Sequence, residues 1–318
     1  MRVIIAGYGE MAASLLLGVL ESGHEVVGIF RHDRVILGSA KRFLKDVFNA
    51  EEFFVLAKKY KIKEIKAKSI NSEEFFKKAF KLHPDVILVG SWSEILESKI
   101  INMPRVASVN THPSLLPKYR GPNPYLETIR NGETQTGVTF HLISEKLDRG
   151  PVLMQQKVDI TPDDTGGSLR NKCVFTARQM VKELLDGLNE GTTMPLVQDE
   201  KLSSYYPRIK LHDTIINWEQ SAYCVYDQIR SMNPWQHCFL MHKKNIIQVN
   251  SAKVVDVEEN LPPGMVVFKK GTSLIVSTGL SGHGVLLEKP EVFGFMGFLF
   301  GKIYIRSKIK VGDFLEKV

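Results

Sequence analysis

Val3-Ile4-Ile5-Ala6 is a short unbroken apolar run that stops at Gly7-Tyr8-Gly9, and a second run, Val26-Val27-Gly28-Ile29-Phe30, follows an apolar stretch of helical spacing over residues 11–20. Strands that are apolar on both faces must be covered on both faces, and strands joined through a helix pair in parallel. The first 30 residues therefore read as a βαβ unit of an open α/β sheet. Gly7-x-Gly9 could open a dinucleotide fingerprint, but position 12 is Ala and no acidic residue closes the second strand at Phe30-Arg31-His32. Nicotinamide binding is not implied.

The α/β pattern continues to about residue 190. Helical spacing returns over 43–60, and Ser72 with Glu74 and Phe75-Phe76 reads as a capped helix start. Residues 85–90 read as a third buried strand and 106–109 as a fourth, after Pro104. The polar, proline-rich stretch 110–124 is then a loop at the carboxyl end of a strand, where open α/β sheets bind ligands. Further strands are expected at 137–143 and 152–160, and a helix at 167–188 with Thr165 or Ser168 as its cap. The irregular stretch 191–207 reads as a linker. Beyond it, a short helix at 221–232 precedes short strands at 248–255, 264–269, 273–278 and 284–288, a spacing that suits a small β-barrel. The apolar run 293–300 reads as a core strand and turn of that barrel, with an exposed association patch as the alternative. The expected organisation is a catalytic domain over 1–190, a linker over 191–207 and a second domain over 208–318.

Charge bears on the partner. Lys and Arg number 42 against 35 Asp and Glu, a net charge of +7, and residues 31–81 alone hold 14 basic and 7 acidic residues. Such a cluster attracts polyanions, although a solvated lysine-rich face would read the same way. Three cysteines without CxxC spacing argue against a disulfide framework or a thiolate metal site, and no His, Cys and Asp cluster has ligand spacing, so no metal is expected. The apolar run over 11–20 lies between Glu10 and Glu21 and is too short to span a bilayer, and residues 3–6 are too short for a secretory leader. The expectation is a cytoplasmic chain with no membrane association and no stable protein partner.

Asn110 and His112 stand two apart at the end of an expected strand, so their side chains leave the same face. An imidazole can shuttle a proton and a carboxamide N–H can stabilise an oxyanion, a pair suited to acyl transfer onto nitrogen. Asp148, in Leu147-Asp148-Arg149-Gly150, is a candidate to orient the histidine. Spacing alone leaves open a purely structural, hydrogen-bonding His112. Ser114 is read as a backbone cap, since no base is spaced to activate it as a nucleophile.

Asn110-x-His112-Pro113-Ser114-Leu115-Leu116-Pro117-Lys118-Tyr119-Arg120-Gly121 resembles the signature of the 10-formyltetrahydrofolate-dependent formyltransferase family. The similarity extends to Gly132-Glu133-x-x-Thr136-Gly137-Val138-Thr139, Leu147-Asp148-x-Gly150-x-Val152-Leu153, Pro162-x-Asp164-Thr165, Ile216-Asn217-Trp218 and Asn233-Pro234-Trp235, nearly the whole chain. The resemblance implies an α/β, Rossmann-like formyltransferase domain with a smaller C-terminal OB-like β-barrel domain, and 10-formyltetrahydrofolate as co-substrate. It implies a catalytic set of Asn110, His112 and Asp148. It places Trp92, Ser93, Glu94, Ile95, Leu96, Ser114, Leu115, Leu116, Pro117, Ile143 and Leu147 around the folate, and Gly7, Tyr8, Gly9, Arg31, Arg34, Arg42, Tyr119 and Arg120 toward the acceptor.

The acceptor is less constrained than the donor. Within the family, the basic segment favours the amino group of initiator methionyl-tRNA. A small amine or amino-sugar nucleotide is the alternative, with simple hydrolysis of the formyl folate behind both. Two departures count against tRNA: the turn is Gly7-Tyr8-Gly9-Glu10-Met11, and Gly38-Ser39-Ala40-Lys41-Arg42 runs into apolar Phe43, Leu44, Val47 and Phe48. A catalytically silent binding module is the competing class, and the presence of Asn110, His112 and Asp148 together argues against it.

Overall fold

The computed structural model describes residues 1–31, 52–280 and 282–316, the side chains of 295–300 excepted. Two compact units divide the chain. The first comprises Met1–Pro124, Gln135–Asp159 and Asn171–Tyr206, and the second comprises Tyr125–Thr134, Ile160–Arg170 and Pro207–Val318.

The first unit is built on six strands, β1 (Arg2–Gly7), β2 (Glu25–Arg31), β3 (Val86–Gly90), β4 (Ala107–His112), β5 (Gln135–Leu142) and β6 (Val152–Asp159), hydrogen-bonded in the order β2-β1-β3-β4-β5-β6. The first four are mutually parallel, and β5 and β6 run antiparallel at the far edge. Val3 to Ala6 and Val86 to Leu88 are wholly buried, as expected of central strands covered on both faces. The crossover from β1 to β2 is helix α1 (Gly9–Glu21), which buries Met11, Ala12, Leu15, Leu16 and Val19. Gly7 and Gly90, at the carboxyl ends of β1 and β3, permit this packing: a Cβ on Gly7 would lie 2.0 Å from the Gly90 carbonyl oxygen.

Helices α2 (Glu52–Lys59) and α3 (Glu73–Phe80) follow β2, and the four-residue helix α4 (Ser98–Ile101) follows β3. The Ser72 hydroxyl caps α3 by accepting from the Phe75 N–H at 3.1 Å, as its sequence suggested. One core cluster gathers Ile4, Phe30, Ile70, Phe75 and Ile87, with the Phe30 and Phe75 ring centroids 4.7 Å apart. Each such fully buried side chain contributes about 2–3 kcal/mol of transfer free energy. The helical spacing read over 43–60 is seen as α2 for 52–59; residues 43–51 lie outside the described residues.

Helix α5 (Pro124–Arg130) begins at the end of the first unit, and α6 (Gly166–Glu190) runs from the second unit into the first. Thr165 and Ser168 cap α6 reciprocally: the Thr165 hydroxyl accepts the Ser168 N–H and the Ser168 hydroxyl accepts the Thr165 N–H. The second unit continues with α7 (Ala222–Met232), capped by Ser221, and the strands β7 (Cys238–His242), β8 (Asn245–Val249), β9 (Ala252–Asp256), β10 (Val266–Lys270), β11 (Ser273–Ser277), β12 (His283–Leu287) and β13 (Glu291–Val292). These hydrogen-bond as two antiparallel sheets, β10-β11-β12-β9 and β13-β8-β7, where one small barrel was expected. Their inward faces, with α7, enclose a second core around Ile216, Val225, Leu240, Ile247 and Val276.

Two expectations are corrected here. The single strand expected over 248–255 is the end of β8 and the start of β9. The apolar stretch expected as a strand and turn instead begins helix α8 (Phe295–Lys308), entered through Gly294 at φ 97°, a left-handed backbone open to glycine.

Candidate active site

The carboxyl end of β4 carries the candidate catalytic residues Asn110 and His112. Asn110 faces Val89 of β3 on one side and His141 of antiparallel β5 on the other. This register brings the Asn110 Nδ2 to 3.1 Å from the His141 Nε2. The His141 Nδ1 lies 2.8 Å from the Leu142 carbonyl oxygen, and a carbonyl only accepts, so Nδ1 carries the hydrogen and Nε2 presents its lone pair. Asn110 therefore donates one N–H to His141, and the other N–H of the same amide stays available to a reacting oxygen.

His112 is fixed by the same logic. Its Nε2 donates to the Tyr119 carbonyl oxygen at 2.8 Å, which leaves Nδ1 as the basic nitrogen, 3.6 Å from the Asp148 Oδ1. The Asp148 Oδ2 accepts the Gly121 N–H at 3.0 Å. Asp148 itself has φ 53°, a left-handed backbone. All three side chains, His112, His141 and Asp148, are buried.

His141 has no counterpart in the sequence reading. Burial holds its pKa down at about 4, opposed by Asp148 and reinforced by His112 and Arg120, so it stays a neutral acceptor for Asn110 at ordinary pH. The unfolded chain, with a histidine near 6.5, binds this proton first. Stability is therefore complete above about pH 6.5 and is lost as the pH falls toward 4, by up to roughly 3 kcal/mol. His141→Gln is expected to flatten this part of the profile, read from denaturant midpoints at pH 7 and 4.5; a profile identical to that of the unaltered chain would contradict a buried neutral His141.

Beside Asn110 and Asp148 opens a cavity of about 70 Å³, lined by Trp92, Glu94, Ile95 and Leu96 from one loop and by Ile143 and Leu147 from another. The folate residues expected from those loops thus meet around Asn110, except Ser93, which does not line the cavity. The 114–117 group lies apart from it. The Ser114 hydroxyl donates to the Lys118 carbonyl, Leu115 packs over Gly137, the Leu116 N–H reaches Thr139 and the Pro117 carbonyl accepts the Ser204 N–H. A larger cleft of about 640 Å³ is lined by the second unit alone, and its cations are committed, Arg230 to Asp227 and Lys253 to Glu288. It holds no amide–imidazole–carboxylate set.

The acceptor group disperses. Gly7 packs under Gly90, Tyr8 is exposed, and Gly9 has φ 65°. Arg31 is wholly buried, with Nε 3.0 Å from the Glu64 carboxylate and its guanidinium over the Phe54 ring. Tyr119 and Arg120 are buried too; Tyr119 stacks on Tyr206 and Arg120 is held by Gln198 and Glu200. Arg34 and Arg42 lie outside the described residues. Among the described residues, no group of His, Cys, Asp and Glu could hold a metal ion, and no helix is long and apolar enough to cross a membrane.

An open α/β sheet that gathers amide, imidazole and carboxylate at one strand end defines a chain equipped for acyl transfer. A family profile described as formyl transferase matches residues 1–185, and one described as formyl transferase, C-terminal domain, matches 208–289. The chain belongs to the formyl transferase family. It is 31% identical over 292 residues to a methionyl-tRNA formyltransferase of Caldanaerobacter subterraneus subsp. tengcongensis, covering 92% of this chain and 93% of that one. It is 31% identical to the methionyl-tRNA formyltransferase of Thermotoga neapolitana, covering 88% and 87%. Among solved structures, an N-formyltransferase from Helicobacter canadensis, in complex with folinic acid and dTDP-3-aminofucose, shares the fold with a TM-score of 0.70 at 19% identity, covering 92% of this chain and 100% of that one. Methionyl-tRNA formyltransferase from Clostridium thermocellum superposes with a TM-score of 0.53 at 16% identity, covering 93% and 100%.

Proposed function

We propose that the chain transfers the formyl group of 10-formyltetrahydrofolate to a primary amine, the amino group of methionyl-tRNA. The observation that carries this reading is the cluster of Asn110, His112 and Asp148 beside a cavity walled in part by Trp92, Ile95, Leu96, Ile143 and Leu147, in a member of the formyl transferase family. Exposed Ile95 and Leu147 at that cavity suit a flat ring system.

The steps balance within these groups. The amine nitrogen attacks the formyl carbon, and the free N–H of Asn110 stabilises the negative charge that develops on the formyl oxygen. His112 takes a proton from the attacking nitrogen at Nδ1, where the Asp148 carboxylate favours the resulting cation. The bond from the formyl carbon to N10 then breaks, and N10 takes the proton that His112 received, giving the formamide and tetrahydrofolate and returning His112 to its neutral form.

The acceptor reading draws on the relatives named above and on two basic surfaces. In the first unit, Lys58, Lys59, Lys61, Lys63, Lys66 and Lys68 are all exposed; in the second, so are Lys302, Arg306, Lys308 and Lys310. Such faces suit a phosphate backbone, which releases counterions when lysines approach it. A chain working on tRNA in this way acts in the cytoplasm. Replacing Lys58, Lys61 and Lys63 together with glutamine is expected to raise the KM for methionyl-tRNA and to reduce the salt slope of binding by about one for each lysine that meets a phosphate. An unchanged slope, or efficient formylation of an amino-sugar nucleotide with none of methionyl-tRNA, would move the acceptor to a small amine.

A further inference from the structure

We infer that Gln198 is a positioning residue for the Asp148 carboxylate, and that the segment 196–206 belongs to the active site as well as connecting the two units. The inference rests on the formyl-transfer reading above and adds a residue to it.

Gln198 is buried and uses its whole amide. Its Nε2 donates to the Asp148 carbonyl at 2.9 Å and to the Gly150 carbonyl at 2.7 Å, while its Oε1 accepts from Arg120 Nε at 3.2 Å and Nη2 at 2.7 Å. The amide has one workable orientation. Turned over, its N–H groups would face the guanidinium donors and its oxygen would face two carbonyls. Arg120 is fixed in turn by paired bonds to the Glu200 carboxylate, at 2.9 and 2.8 Å.

The segment is tied down at both ends. Leu196 exchanges two backbone hydrogen bonds with Val152, both 2.8 Å. Further on, the Ser204 carbonyl accepts the Arg120 N–H, the Ser204 hydroxyl accepts the Tyr119 N–H, and the Arg120 carbonyl accepts the Tyr206 N–H. Gln198 thereby bridges the loop that follows β4, whose Tyr119 carbonyl holds His112, and the turn that carries Asp148. Asp148 keeps its left-handed backbone only while its surroundings fix it, and its carboxylate meets His112 through that backbone. Gln198 is not among the residues lining the cavity, so it acts through Asp148.

The test pairs Gln198→Ala with Gln198→Glu, which keeps the shape and the Arg120 contact but offers no donor to the two carbonyls. Both are expected to lower kcat for formyl transfer about 10- to 100-fold, with KM for 10-formyltetrahydrofolate within about twofold of the unaltered chain. In an Asp148→Asn background, Gln198→Ala is expected to cost nothing further, since what it positions is already lost. The ¹⁵N resonances of the His112 ring, which need no acceptor, are expected to move in Gln198→Ala in the direction they move in Asp148→Asn. A normal kcat in Gln198→Ala, a loss that adds fully to that of Asp148→Asn, or a lowered Tm with His112 resonances unmoved would overturn the inference. An unaltered chain that transfers no formyl group overturns the functional reading instead, and the His112 resonances then decide the positioning role alone.

Discussion

His112→Ala is expected to lower kcat for formyl transfer by about 10²- to 10⁴-fold while KM for the folate stays near that of the unaltered chain. The direction follows from the hydrogens. The Tyr119 carbonyl takes the Nε2 hydrogen, so Nδ1 is the nitrogen able to receive a proton, and Asp148 stands 3.6 Å from it. Alanine removes the proton acceptor without touching the cavity walls formed by Trp92, Leu96, Ile143 and Leu147. Asp148→Asn is expected to act in the same direction, because an amide cannot offset the charge that His112 gains. Steady-state kinetics with separate titration of donor and acceptor check both; turnover unchanged in either variant would remove the residue from the catalytic set.

Gly150→Ala is expected to destabilise the fold by about 3 kcal/mol and to abolish most transfer with it. A Cβ at this position would lie 1.7 Å from the Leu142 carbonyl oxygen and 3.4 Å from the His141 Nδ1. That carbonyl is the acceptor that fixes the His141 tautomer, and the Gly150 carbonyl is one of the two that Gln198 holds. A methyl group there must push the 148–151 turn off β5, which carries Asp148 away from His112 and disturbs the partner of Asn110 together. Denaturant midpoints and single-turnover rates on the same preparation measure the two losses. A variant of normal stability and rate would mean that the turn does not hold the site.

The parts of this architecture readable from sequence are those where burial is local and periodic. Val3 to Ala6 and 86–88 are apolar on both faces because they lie inside the sheet, and Asn110 and His112 share a face because a strand alternates. Asp148 is readable only as a candidate on a loop between two expected strands, and its place in the set comes from a resemblance, since the spacing between positions 112 and 148 carries no period. His141 was missed for a different reason: it matters only because β5 pairs antiparallel with β4 in a register that sets it opposite Asn110. Pairing of that kind depends on chain closure rather than on local pattern. Gln198 was hidden in an irregular stretch whose partners, Arg120 and the 148–150 turn, lie about 50 residues and more away in sequence. The helix over 295–308 was misread because its glycine-punctuated aromatic start resembles a strand and turn, with only Gly294 to mark the helix entry.

The claim that joins these observations is that one strand-end cluster moves a formyl group from folate to the amine of methionyl-tRNA. A single-turnover experiment with 10-formyltetrahydrofolate labelled in the formyl carbon tests it most directly, with methionyl-tRNA in one reaction and amino-sugar nucleotides and simple amines in others. The account predicts rapid appearance of label on the tRNA, slowed by added salt and lost in His112→Ala. Label that remains on the folate with every amine offered, or that leaves only as free formate, would contradict it.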